Sequence, residues 1–88
     1  MDRALDDAKG AEHILEQLVL RFLRDDDRIN KLYTAESIAS DAPTITQYAK
    51  ICSFTVKEIK RALEALRDRG YVMREDHSVG NPHYMAYD

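Results

Sequence analysis

The groups in this chain that could ligate a metal or attack a substrate are few: Cys52 and the histidines His13, His77 and His83. Zinc sites draw on short pairings such as Cys-x-x-Cys or His-x-x-x-His, and none of these four residues stands at such a spacing. No serine lies in a Gly-x-Ser-x-Gly elbow, and glycines only at positions 10, 70 and 80 leave no loop that could cradle phosphates. The expectation is a protein without catalytic residues, metal or cofactor. Cys52 alone can form no internal disulfide and reads as a small buried apolar residue.

A different chemistry, recognition of anions, is suggested by the cations. Net charge is −3, but it is unevenly spread. Residues 1–43 hold six basic residues against ten acids, whereas residues 50–74 hold Lys50, Lys57, Lys60, Arg61, Arg67, Arg69 and Arg74 against Glu58, Glu64 and Asp68. A locally basic segment in an acidic chain is suited to a polyanion approached from one side. Tyr33, Tyr48, Tyr71, Tyr84 and Tyr87 lie on different segments with no shared face, so they read as core residues and not as a platform for stacking bases.

These cations must be positioned by local structure. Val56, Ile59, Leu63 and Leu66 form one apolar stripe, which predicts a helix over Val56 to Arg69. Thr55-Val56-Lys57-Glu58 matches a capping box at its start, and Gly70 stands where a glycine ends a helix. At 100° per residue, Lys57 and Arg61 fall opposite the stripe, with Lys60 and Arg67 on one flank. Upstream, Ile14, Leu15, Leu18, Val19, Phe22 and Leu23 predict an amphipathic helix from Ala11 to Arg24, stopped by Asp25-Asp26-Asp27. Lys31 to Thr34 reads as a short extended piece. Thr34 caps a brief helix over Ala35–Asp41 that Pro43 ends, and a further helical turn or two is expected over Ile45–Ile51. Tyr71 to Arg74 and His83 to Tyr87 read as the strands of a β-hairpin with a long tip.

The stretch Ile45-Thr46-Gln47-Tyr48-Ala49-Lys50-Ile51-Cys52-Ser53-Phe54-Thr55-Val56-Lys57-Glu58-Ile59-Lys60-Arg61-Ala62-Leu63 resembles a helix-turn-helix, with Ala49 as the small residue of the first helix and Ile59 and Leu63 anchoring the second. Its continuation, Leu63 to Val72, is similar to a recognition helix running into the wing of small archaeal and bacterial winged helix-turn-helix regulators. The likeness spans about residues 11–87. It implies a mostly α fold with a small β-hairpin, three to four helices followed by a C-terminal wing. Which of the segments 35–41 and 45–51 is the first helix of the unit stays open. Cys52 stands in the turn, where tight units carry glycine.

The implied activity is sequence-specific binding of double-stranded DNA by a transcription regulator. The N-terminal part of the recognition helix is the part that approaches base edges, and here that part is basic. Ser53, Thr55, Lys57, Lys60 and Arg61 are the candidate contacts on the helix and its mouth, with Arg61 suited to a bidentate bond to guanine. Arg74, His77, Ser78 and Asn81 are candidates on the wing. A winged-helix module that binds protein within a larger assembly is the alternative that the acidic net charge favours.

With 88 residues the chain has room for one core, and residues 1–10 read as a charged arm ahead of a domain over 11–88. The densest apolar stretch, Ile14 to Leu23, is broken by Glu16, Gln17 and Arg21 and is far shorter than a bilayer span. The acidic start, Met1-Asp2-Arg3-Ala4-Leu5-Asp6-Asp7, is unlike a secretory signal, so a cytoplasmic protein with no membrane partner is expected. The width of the first helix's apolar stripe suggests a homodimer through Ile14, Leu15, Leu18, Val19 and Phe22. If Glu58 is a capping residue, Glu58→Gln should keep the cap and leave base preference unaltered. A selection from random duplexes that returned a different preferred sequence for this variant would place Glu58 in the groove instead.

Overall fold

The apolar stripes read from the sequence become one core. In a computed structural model, which describes the backbone of residues 3–76 and 80–87 and the side chains of those ranges from Glu12 onward, the chain forms three α-helices and a hairpin: α1 (Arg3–Arg24), α2 (Ala35–Asp41), α3 (Val56–Asp68), β1 (Val72–Glu75) and β2 (His83–Ala86). Two 3₁₀ segments, Ala42–Thr44 and Thr46–Ser53, lie between α2 and α3. The fold is mostly helical with a small antiparallel hairpin, in the order of a winged helix-turn-helix.

Helix α1 begins at Arg3, well before the expected start at Ala11, and the backbone of 3–10 is continuous with it. One interior glycine costs a helix only about 1 kcal/mol relative to alanine, and Gly10 sits among Ala8, Lys9 and Ala11, which favour helix. The other end is fixed by Arg28. Its Nε donates to the Phe22 carbonyl at 2.7 Å, its guanidinium pairs with Asp25 at 2.8 Å, and its plane lies 4.2 Å from the centre of the Phe22 ring. An orphan carbonyl of the last turn is thereby satisfied and an aromatic face covered.

Thr34 caps α2 through a reciprocal pair: its Oγ1 accepts from the Ser37 amide at 3.1 Å, and the Thr34 amide donates to the Ser37 hydroxyl at 2.9 Å. The segment expected to be helical over Ile45–Ile51 forms as a 3₁₀ helix over Thr46–Ser53. Its anchors explain the tighter winding. Tyr48 and Ile51 are buried and Ile45 half-buried, a three-residue spacing that lines all of them up along one edge at three residues per turn. Both candidate helical segments therefore exist, and it is the 3₁₀ one that leads directly into α3.

At the end of α3, Gly70 adopts φ +84°, its amide donates to the Arg67 carbonyl and the Tyr71 amide to the Leu66 carbonyl, both at 2.9 Å. This Schellman closure turns the chain straight into the hairpin. The strands pair as Val72↔Ala86, Met73↔Met85, Arg74↔Tyr84 and Glu75↔His83. The extended piece before α2 adds to β2 by two reciprocal bonds between Tyr33 and Tyr84, at 2.8 and 2.7 Å.

The core gathers Leu15, Val19, Phe22 and Leu23 of α1, Ile38 of α2, Tyr48 and Ile51, Ile59, Leu63 and Leu66 of α3, and Val72 and Tyr84 of the hairpin. Phe22 is its hub, with edge-on ring contacts to Tyr33 at 5.7 Å and Tyr48 at 5.6 Å between centroids. This placement corrects the dimer expectation for three residues. Leu15, Val19 and Phe22 are at most 1% exposed within the single chain, because α3, the 3₁₀ segment and the hairpin together cover that face. Leu18 is half-buried, and only Ile14 is openly exposed. Among the described residues no helix is long and apolar enough to cross a membrane.

Candidate nucleic-acid interface

The candidate surface is the N-terminal half of α3 and the turn before it. Burial of Ile59, Ala62, Leu63 and Leu66 fixes the rotation of this helix, so Lys57, Lys60 and Arg61 all point to solvent. Ser53 and Thr55 are exposed at the mouth, beside Lys50 on the 3₁₀ segment. The sequence-predicted helix contacts are thus brought together on one surface.

The capping box is present in full. Thr55 Oγ1 accepts from the Glu58 amide at 3.1 Å, and Glu58 Oε1 accepts from the Thr55 amide at 2.9 Å and from the Thr55 hydroxyl at 3.1 Å. The backbone and hydroxyl donors of Thr55, together with Arg61 nearby, hold the Glu58 carboxyl below the usual glutamate value. Glu58 is therefore a charged cap, and the one hydroxyl proton of Thr55 is already committed to it. As a contact at the mouth, Thr55 therefore offers acceptor capacity alone.

The arginines and lysines of this region behave differently. Arg67 lies 3.4 Å from Glu64, Arg69 2.5 Å from Glu16 on α1, Arg74 2.8 Å from Glu64, and Arg61 3.8 Å from Glu12 on α1. No carboxylate among the described residues lies within ion-pair distance of Lys50, Lys57 or Lys60. The Arg61 pair is long and both side chains are more than half exposed, 62% and 55%, so it is a loose tether that a phosphate could replace. Helix stability does not account for this arrangement. Cations in the first turns of a helix oppose its macrodipole, where acids are favoured.

Arg74 is placed otherwise than expected. Its Nη1 donates to Glu64 at 2.8 Å and its Nε to Asp76 at 2.7 Å, and the side chain is only 28% exposed, so it holds the wing to α3 instead of reaching for a ligand. Asn81 makes an exposed bond across the surface, its Nδ2 donating to Glu36 of α2 at 2.6 Å. His77 and Ser78 lie outside the described residues. Cys52, read as buried, is exposed, since the three-residue winding turns Ile51 inward and Cys52 out. His13 bonds Gln17 on the surface of α1 at 3.0 Å, and the described residues contain no cluster of three or more metal-ligating side chains.

Glu64 is the residue whose part the sequence did not reveal. Counted there only among the acids of residues 50–74, it accepts from the buried Tyr84 hydroxyl and from Arg74, with Arg67 beside it. Partial burial pushes its carboxyl up, but the Tyr84 hydroxyl and the Arg74 guanidinium outweigh burial and hold it below the ordinary value. Burial and the adjacent Glu64 carboxylate push the Tyr84 hydroxyl up, so it stays a donor. The spacing of Glu64 and Arg67 hints at their pairing, but the partnership with residues 10 and 20 positions away has no local signal.

No protein-family model, curated protein or solved structure matches this chain.

A depressed carboxyl pKa stabilises the fold above the unfolded-state value and ceases to do so as pH falls through the folded-state value. Glu64→Gln should therefore cost roughly 1–2 kcal/mol near neutral pH, the scale of hydrogen bonds to a partly exposed charge. Thermal melts of parent and variant should converge only as pH falls below the ordinary glutamate range and through the depressed folded-state value, where Glu64 becomes protonated in the parent. A gap that persisted unchanged into acid would mean that the carboxylate charge is not what binds the wing.

Proposed function

We propose that this chain is a double-stranded DNA-binding protein, a cytoplasmic transcription regulator that docks α3 in the major groove. The observation that supports the reading best is the set of lysines at the N-terminal half of α3, open to solvent and without carboxylate partners among the described residues, while the arginines around them are tethered. Lys57 and Lys60 would lie along phosphates. Arg61, freed from Glu12, would reach a base edge, with Ser53 at the mouth. The carboxylates of Glu64 and Asp68 lie toward the C-terminal end of the helix, away from the groove floor in this docking mode. A homodimer would present two such helices to half-sites about 34–36 Å apart. Among the described side chains of α1, the exposed Ile14 and half-buried Leu18 and Leu20 are apolar residues left for its contact.

A protein-binding module is the second reading, favoured by a separate observation: Tyr71, Met73 and Tyr87 are exposed together on and beside the hairpin. Alanine variants separate the two. Lys57→Ala or Lys60→Ala should weaken binding to all duplexes alike, and Arg61→Ala should cost about 1–3 kcal/mol and relax preference at one base pair. All three should melt like the parent, because their side chains are exposed. Fluorescence anisotropy in which the folded triple variant bound duplex as tightly as the parent would reject α3 as the reading helix.

A further inference from the structure

We propose that the groove between α1 and α3 is a binding site for a small organic cation, an ammonium group carried on a compact apolar or aromatic body. The groove encloses about 190 Å³. A cavity of about 150 Å³ accepts benzene, so the volume suits one ring with a short arm. Its floor is apolar: Leu15 of α1, Phe54 of the turn, and Ala62 and Ala65 of α3. Ala62 and Ala65 are the smallest side chains of this lining, so a longer side chain at either position would take up groove volume.

The rim sets the charge of the occupant. Among the described lining residues, Glu12 and Glu16 stand on the α1 side and Glu58 on the α3 side, against one cation, Arg61. Glu16 is already compensated by Arg69 at 2.5 Å. Glu12 and Glu58 share one cation between them: Arg61 touches Glu12 only at 3.8 Å and lies near Glu58, whose hydrogen bonds come from the neutral donors of Thr55. An ammonium between these two carboxylates completes the balance, whereas an anion of the same size would meet like charge on both walls. A purely apolar occupant would use the floor and leave the rim unchanged.

The test uses the whole chain, labelled with nitrogen-15, and titrates phenethylamine against phenylacetate, which has a similar ring and arm but the opposite charge. A ligand of this size is expected to bind with a dissociation constant on the order of 1 mM. Phenethylamine should give saturable amide shifts at Leu15, Phe54, Ala62 and Ala65, and phenylacetate should not. Glu12→Gln should weaken the amine roughly three- to five-fold, the loss of one exposed charge contact. Ala65→Leu should fill the groove and abolish the shifts. Equal saturable shifts with phenylacetate, shifts confined to other surfaces, or undiminished amine binding by either folded variant would overturn the site. No nucleic acid is present in the titration, so its outcome is independent of the DNA-binding reading.

Discussion

The burial of one stripe of α3 is the constraint from which the rest follows. Ile59, Ala62, Leu63 and Leu66 are each at most 5% exposed, against α1, α2 and the hairpin. Fully burying side chains of this kind is worth roughly 1.5–3 kcal/mol for each large one, which fixes the helix about its own axis. Once that rotation is set, Lys57, Lys60 and Arg61 must face solvent, and Ala65 must face the groove beside α1. The two ends are held as firmly, by the Thr55–Glu58 capping box and by the Gly70 closure. A surface made of flexible cations thus sits on a helix with little freedom of its own.

Around that helix the charges sort into two kinds. Arginines make the tertiary ties: Arg69 to α1, Arg74 to α3, and Arg28 across the end of α1. Their forked donors suit fixed, two-sided contacts, which Arg74 makes with Glu64 and Asp76 at once. The lysines at positions 50, 57 and 60 take no such part. This sorting helps reconcile an acidic chain with a basic surface, because Glu16 and Glu64 beside α3 are paired with arginines and subtract little from the field of the lysines.

Much of this was legible in the sequence. The stripe and capping box of α3, the Gly70 stop, the Thr34 cap and the two strand-like runs of the hairpin are local signals, and α2, α3 and the strands formed within a few residues of their expected bounds, whereas α1 starts at Arg3 instead of Ala11. What escaped was of two kinds. The 3₁₀ winding over Thr46–Ser53 depends on the depth to which Ile45, Tyr48 and Ile51 are drawn into the core, which spacing alone does not set. The clamp of Glu64 on Tyr84 and Arg74 joins residues far apart in the chain, and its cost and benefit appear only when the hairpin folds back. The same holds for α1, whose wide stripe suggested a second copy, although Leu15, Val19 and Phe22 are enclosed by the chain itself. A small domain needs wide stripes, since few elements share the work of building its core.

The central claim, that α3 presents its cations to phosphates, is tested most directly by the salt dependence of binding to a random-sequence duplex. If Lys57, Lys60 and Arg61 each meet one phosphate or displace one counterion, the logarithm of affinity should fall against the logarithm of salt concentration with a slope near −3, at about −0.9 per contact. Binding that is absent at low salt, or that does not change with salt, would contradict the account.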